Sequence, residues 1–548
     1  MPARDYVIII LIIILVIIIV ATVVNTLAHN NDIINEADIV IIGCGTAGCI
    51  LANRLSLKYP SKRIVALERG QDRRNDRNIY NPANALIAAF TEPYSEVLET
   101  DTEGVIASIG KMTGGAASHN FGLVVTGSEE FYNNGSWEML NPDSSKPMYE
   151  SLQPTFKAIN NLMHITPLPI SINIAERILP FAALVMTKGA EVIRQGIDVF
   201  QNSGPLRANC FISNEILAAV TMTKNVPIVS NYNEAGVSIS ESPNIFLDNV
   251  MGVRSSVNRE YLPTASFISN LTIVENAEVS SFNEDIVMLS DGRKIKAKEK
   301  IILSAGGIYS PFLLRKSGYS VIVNGEEQIG ANLKNHYGCT LIMAVKDSRA
   351  ADFSSGPVAF VPEATGTNRD WQIVVSGSTL TNLDFLQDQG VDTDELQEEG
   401  FMFMTFLLWL MNPVASGFID ASGNKPGINL KLFENNDDNE SLTEGLRWLG
   451  EVSSILSGQF QEAEVLFPPQ EVLDRDNDAE LLEYVKIGVS STDHYSVTCR
   501  VGTVLDKNFK LKGSNKIHVV DTSSFPSIPD GNTQYPVMII AELAARVI

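Results

Sequence analysis

Three glycines, Gly43, Gly45 and Gly48, stand in G-x-G-x-x-G spacing, and an acid, Glu68, follows twenty residues after the last of them. This combination holds the pyrophosphate and ribose of a dinucleotide. Gly43 permits a tight turn. Gly45 lacks a Cβ, so phosphate oxygens can approach the backbone. Gly48 lets a helix pack closely on its strand. The phosphates then face a helix N-terminus, whose free N–H groups and dipole favour anions. Glu68 has the acceptors for an adenosine ribose. The motif serves NAD and FAD alike.

The elements that must position these residues are visible around them. The apolar run Ile39 to Ile42 reads as a buried strand, Ala47 to Leu57 as an amphipathic helix, and Arg63 to Leu67 as a second strand ending in Glu68. A β-α-β unit whose glycines serve packing alone is the competing reading.

The chain has 548 residues, enough for two or more domains, and its 45% apolar fraction supports a sizeable core. The net charge of −23 comes without a long basic block, so no nucleic acid partner is expected. The five cysteines, Cys44, Cys49, Cys210, Cys339 and Cys499, are odd in number and form no C-x-x-C pair, which disfavours a disulfide framework or a metal site. Residues 7–24 form an uncharged run long enough to cross a bilayer, so a single-pass membrane anchor is expected, with a cleaved signal as the alternative. Sequons at Asn134, Asn270 and Asn439 permit a lumenal or extracellular location.

Further along, residues 71–100 read as a loop-rich excursion. Gly114, Gly115, Ala116, Ala117 and Ser118 form a small-residue run suited to a backbone lying against a flat ring, with His119 and Asn120 at its end. On spacing alone, His119 reads as a hydrogen-bonded interior histidine. Residues 161–200 show a helical pattern carrying Arg177 and Arg194. The stretches 270–279 and 285–303 alternate like strands, with Asp291-Gly292 as a hairpin turn. Residues 380–400 are acidic and read as exposed, and 401–412 (FMFMTFLLWLMN) is too short to span a membrane and reads as a buried strand or helix. Near the C-terminus a strand ends in Asp521, PDGN supplies a turn, and Pro536 opens a helix, which puts Asn532 just before a helix N-terminus.

These blocks together resemble the glucose-methanol-choline (GMC) oxidoreductases. GGAASHN, at 114–120, matches a flavin loop of the form GGSS-x-x-N. FYNNGSWEML and MYESLQPTFKAIN, within 131–160, are similar to the family's tryptophan segment and following helix. EKIILSAGGIYSPFLLRKSG, 299–318, resembles its strand and loop on the adenine side, and GANLKNH, 330–336, resembles G-x-N-L-x-D-H with Asn335 in place of Asp. HYSVTCRVG, from His494, resembles H-P-x-G-T-C-x-M-G, and NTQYP, from Asn532, resembles [HN]-T-Q-x-P.

The resemblance implies an α/β protein: a Rossmann-like FAD-binding domain with a mixed sheet and helices (31–160, 205–330 and 485–548), an α+β substrate-binding domain built on an antiparallel sheet (161–204 and 331–484), and an N-terminal anchor and tether (1–30) containing the transmembrane helix. It implies FAD held by Gly43, Gly45, Thr46, Ala47, Gly48, Glu68, Gly70, Gly114, Gly115, Ser118, His119, Asn120, Ala305, Asp521, Thr533 and Gln534. It also implies oxidation of a small-molecule alcohol, with oxygen or another electron acceptor completing the cycle. His494 takes the hydroxyl proton, the carbon passes hydride to flavin N5, and Asn532 hydrogen-bonds the developing alkoxide. Some family members with S-H-N in the flavin loop attach FAD covalently through the histidine, so the resemblance leaves open both a bond through His119 and a non-covalent flavin. Tyr495, Val497 and Val501 depart from the family motif, as does Tyr319-Ser320 where Ile-Gly is common. Valine does not readily take a positive φ, so displacement of His494 is the expectation if the usual glycine provides backbone freedom. A flavin-binding structural or virion-associated protein, as in giant DNA viruses, is the alternative function. An NAD-dependent Rossmann dehydrogenase is disfavoured by the C-terminal half.

Overall fold

A computed structural model describes residues 35–133, 135–167, 210–229, 231–234, 236–240, 244–248, 253–262, 268–348, 357–364, 368–377 and 382–548. The expected anchor at 7–24, Arg177, Arg194 and the sequon at Asn134 lie outside them. No helix among the described residues is long and apolar enough to cross a membrane.

Five parallel strands form the first sheet, in the order Leu271–Val274, Ile64–Leu67, Glu36–Ile42, Lys294–Leu303, Ile517–Val519. Their residues are apolar without alternation because both faces are covered, as parallel sheets require. Ile39 to Ile42 and Ile64 to Leu67 are buried throughout. An antiparallel hairpin, Val279–Phe282 and Ile286–Leu289, extends the sheet from the first half of Lys294–Leu303, with Gly292 at φ +90° in the turn between Leu289 and Lys294. The mixed sheet expected from sequence is therefore present.

Helix Thr46–Lys58 leaves the glycine turn and packs beside the C-terminal helix Gln534–Val547. Arg54 grips Glu542 through three N–H donations of 2.7–3.0 Å, and the Tyr261 hydroxyl donates to the same carboxylate at 3.0 Å. The last helix is buried on nearly every side, which explains its almost uninterrupted apolar sequence. Asn270 Nδ2 donates to the carbonyls of Ser56, Tyr59 and Lys62 at 3.0–3.1 Å, so the nitrogen that glycosylation would need instead ties the helix end to the sheet. Asn439 Nδ2 likewise donates to Phe433 O.

The second sheet runs Glu462–Phe467, Tyr337–Lys346, Met402–Leu410, Trp371–Ser376, Val358–Val361, Ser238–Ser240, Ile228–Val229, with Ser490–Ser491 also on Tyr337–Lys346. It is antiparallel except for its last pair. Met402–Leu410 is the apolar segment that sequence left open between strand and helix. The acidic stretch before it holds two short helices, Leu383–Asp388 and Thr393–Glu398. Helix Asn436–Ser457 covers one face with Leu442, Leu446, Leu449, Val452 and Leu456, and the Asn435 side chain caps its N-terminus. Strands Ile228–Val229, Ser238–Ser240 and Ser490–Ser491 join this sheet although they fall in stretches that sequence assigned to the FAD-binding domain.

Candidate active site

Between the two sheets lies a cavity of about 960 Å³. One end is the glycine turn. Gly43 has φ +91°, and a Cβ there would stand 2.5 Å from Ser304 O. Gly115 has φ +56°, and its Cβ would come within 2.9 Å of Gly45 Cα. The turn and the small-residue loop therefore form one cradle of bare backbone. Thr46 and Ala47 line it at the helix start. Gly48 packs inside, with its Cβ position 2.1 Å from Gly43 O.

Glu68 receives Cys44 N at Oε2 (3.0 Å) and Gly70 N at Oε1 (2.9 Å), so it orders the glycine turn as well as facing the cavity. Burial raises its pKa, against the backbone donors. Each of its oxygens keeps a second lone pair for a ribose hydroxyl. Ala305 lines the same end, and its N–H is held by Ser310 Oγ. Asp521 accepts from Gly306 N, Ser310 Oγ and Ser523 N at 2.6–2.9 Å, tying the loop that follows Leu303 to the C-terminal segment.

Further in, Ser118 turns its hydroxyl to Thr113 O (3.3 Å) and closes the loop from behind. His119 is buried, lines the cavity, and has no partner on either nitrogen. Burial first, then the Arg254 charge, push its pKa down to about 3. The interior, hydrogen-bonded histidine expected from spacing alone is thus interior but unbonded. Asn120 is fully engaged by protein at its oxygen: Oδ1 accepts from Gly122 N (3.0 Å) and Arg254 Nη1 (3.1 Å). Its Nδ2 donates to Gln534 Oε1 at 2.6 Å. Thr533 and Gln534 line the cavity at the start of the last helix, and Gln534 Nε2 has no partner.

At the far end His494 and Asn532 meet, with His494 Nε2 3.4 Å from Asn532 Nδ2. The displacement expected from Val497 does not occur: Val497 takes φ +72°. Its neighbours explain why. Ser496 exchanges backbone hydrogen bonds with Lys334 (3.0 and 3.1 Å), while Val497, Cys499 and Val501 donate to Thr522, Ser523 and Ser524. Pinned on both sides, the segment forces the left-handed turn whatever the side chain. Asn335 serves where the family motif has Asp: its Oδ1 accepts His494 N at 2.7 Å.

His336, carried on the same segment, decides the protonation of His494. Its Nε2 lies 3.0 Å from Pro529 O, which can only accept, so Nε2 bears the proton. Burial holds the His336 pKa down to about 4, so the ring is neutral and its Nδ1 is bare. That Nδ1 is 2.8 Å from His494 Nδ1, which must therefore donate. His494 is left with a bare Nε2, facing the Asn532 amide. Burial, then the neighbouring His336, push the His494 pKa well below the ordinary imidazole range. Gln372 Nε2 donates to Asn532 Oδ1 at 3.0 Å and turns the Asn532 amide so that its N–H points at His494. Sequence reasoning quoted the motif containing His336 without giving the residue a role, and gave no sign of Gln372 or Arg254.

Beside His494, Asp493 accepts from Ser108 N (3.1 Å), and burial raises its pKa to about 7. Val374, Leu407 and Trp409 supply an apolar wall. The chamber thus combines a neutral base, a fixed amide donor and a mostly apolar surround, an arrangement that can deprotonate a hydroxyl and stabilise the oxyanion formed.

The GMC oxidoreductase family models match residues 37–338 and 413–541. An oxygen-dependent choline dehydrogenase of Photobacterium profundum is 23% identical, over 93% of this chain and 92% of its own. Pyranose dehydrogenase 3 of Leucoagaricus meleagris is 24% identical, over 95% of each chain. Pyridoxine 4-oxidase from Mesorbium loti superposes with a TM-score of 0.71 at 20% identity, covering 93% of this chain and 99% of that one. A fungal aryl-alcohol oxidase gives 0.68 at 15% identity, covering 94% and 98%.

Proposed function

The chain belongs to the GMC oxidoreductases, and from that premise we propose that it is an FAD-dependent enzyme oxidising the CH–OH group of a small alcohol, with oxygen or another acceptor taking the electrons. The residues suit FAD. The glycine cradle admits a pyrophosphate, Glu68 keeps acceptors for a ribose, and His119 and Gln534 hold buried polar atoms that lack partners.

The observation that carries the reading is the bare Nε2 of His494, fixed by His336 and set against Asn532. His494 accepts the substrate's hydroxyl proton at that nitrogen. Its low pKa keeps it in the base form at neutral pH. Asn532 Nδ2 donates to the oxygen as negative charge develops there. The flavin, when bound, supplies the hydride acceptor. His336 keeps its proton on Nε2 throughout and holds the His494 ring by its Nδ1, the two rings standing perpendicular.

Two finer readings accompany this one. We assign a covalent flavin bond to His119, in which an imidazole nitrogen replaces one hydrogen of a flavin methyl group, the N–H and C–H protons leave to water and the two electrons pass to oxygen or another acceptor; its loop position and its two unpaired nitrogens support it. Acid-denatured protein retains yellow colour if the bond exists and releases all of it to the supernatant if it does not. We assign residues 7–24 to a membrane anchor, with a lumenal, extracellular or virion-associated catalytic domain. This rests on their apolar run, and fractionation that leaves the full chain in the soluble phase refutes it.

The main test is an anaerobic absorption spectrum of the purified protein before and after a panel of primary and aromatic alcohols. Bleaching of the flavin bands by at least one alcohol is the expected result. A flavin that none of them reduces defeats the enzymatic reading.

A further inference from the structure

Arg254 has no role in the chemistry described so far, and its surroundings are unusual. It sits on the short strand Val253–Arg254 at 1% exposure. Its Nε donates to Ile79 O (3.2 Å) and its Nη1 to Asn120 Oδ1 (3.1 Å), while Nη2 has no partner. Among the described residues no carboxylate pairs with it, and burial alone lowers its pKa, to about 10. Taking a cation out of water without an anion beside it costs several kcal/mol. A chain that keeps such a group next to its cofactor loop has placed a charge there in want of a counter-charge.

The connection continues toward the cavity. Asn120 turns its oxygen to Arg254 and its nitrogen to Gln534 Oε1, at 2.6 Å. Gln534 in turn ends in an Nε2 that is buried without a partner, on a residue lining the cavity. Two amides in series thus point their oxygen ends at the guanidinium and their N–H ends away from it. Each polarises the next, so the last N–H is a stronger donor than an isolated amide. His119, also lining the cavity, lies within reach of the same charge.

We propose that Arg254 is the buried counter-cation of the reduced flavin, acting through Asn120 and Gln534 to raise the flavin's reduction potential. The proposal rests on the FAD reading above. A hydride delivered to the ring carries one negative charge with it. In a site of low dielectric a fixed positive charge stabilises that product over the neutral oxidised ring. Arg254 is therefore a positioning residue, and its effect appears in the potential before it appears in turnover.

Two variants of the full-chain holoprotein separate charge from structure. Arg254→Gln can keep a bond to Asn120 Oδ1 and loses the charge, whereas Arg254→Lys keeps the charge and loses the guanidinium geometry. The readouts are the midpoint potential by dye equilibration and the affinity for sulfite, which adds to the oxidised ring and leaves it anionic. Arg254→Gln is expected to shift the potential to more negative values and to weaken sulfite binding roughly tenfold. Arg254→Lys is expected to stay near wild type in both. The apoprotein of Arg254→Gln is expected to melt no lower than wild type, because an uncompensated buried charge has gone. An unchanged potential in Arg254→Gln, or an equal shift in Arg254→Lys, overturns the proposal. If Arg254→Gln does not accumulate, Asn120→Asp sets a carboxylate against the same guanidinium and must give the same negative shift; no shift overturns the proposal. Wild-type protein that takes up no flavin overturns the FAD reading itself, a result distinct from a flavin whose potential ignores residue 254.

Discussion

Which nitrogen of His494 is bare depends on a residue that never meets the substrate. His336 is locked by Pro529 O and accepts from His494 Nδ1, so the base is presented at Nε2. His494→Ala should lower the rate of flavin reduction by about 10²–10⁴, the usual worth of a positioned general base, with FAD content intact. His336→Leu removes the acceptor for the Nδ1 proton and lets both tautomers populate. It should lower kcat roughly tenfold with KM less affected. An equal rise in KM with kcat unchanged would point to binding instead. The pH profile carries the same logic. His494 is held well below the ordinary imidazole range by burial and His336, so the base form persists as pH falls through the value of about 6.5 for a free imidazole. Flavin reduction should stay flat from about pH 8 to 6 and fall only at lower pH. An acid limb centred at the free-imidazole value would mean that the ring is solvated.

At the scale of elements, the segment around Val497 shows tertiary bonds overriding a local preference. A β-branched residue at φ +72° costs about 1–2 kcal/mol. Val497→Gly relieves that strain but removes a side chain that is 3% exposed, worth about 1.5–3 kcal/mol, and adds about 1 kcal/mol of chain entropy to the unfolded state. Loss outweighs relief, so the variant should be less stable by about 1–2 kcal/mol in denaturant melts while His494 stays in place. Increased stability would mean the valine is poorly packed. The same segment marks the limit of reading the sequence. The β-α-β unit was legible because strand, glycine turn, helix and Glu68 are all local, and it falls within a residue or two of Thr46–Lys58 and Ile64–Leu67. The central strand Met402–Leu410 reads equally as strand or helix because a run buried on both faces shows no period. Val497 misleads because its φ is set by its own N–H donating to Thr522 O and by the Ser496–Lys334 backbone pair beside it, partners that lie far away in the chain. Arg254 and Gln372 reach the site from strands whose local sequence carries no chemical pattern, so only the assembled fold reveals them.

Over the whole molecule, the buried imidazoles set how the fold responds to acid. His119, His336 and His518 have pKa values lowered to about 3, 4 and 4, chiefly by burial, and His494 is lowered well below its usual range. A histidine whose folded pKa is depressed takes up its proton more readily when unfolded. Below the unfolded value of about 6.5, each of the four therefore favours the unfolded chain, increasingly so until the folded value is reached. Asp493 works the other way. Raised to about 7, it holds a proton in the fold that the unfolded chain sheds above about 4, so its penalty shrinks as pH falls from 7. Burial raises Glu68, Glu260 and Asp521 as well, in the same sense as Asp493, and the four imidazoles outweigh these carboxyls. The apoprotein is expected to lose melting temperature steadily from about pH 7 to pH 5. Bound FAD should raise the melting temperature at both pH values, because only the folded chain presents the cradle joining Gly45 to Gly115. A melting temperature that holds or rises over that interval would show that these rings are reached by water, and with it the neutral, tautomer-locked state of His336 and His494 would fall.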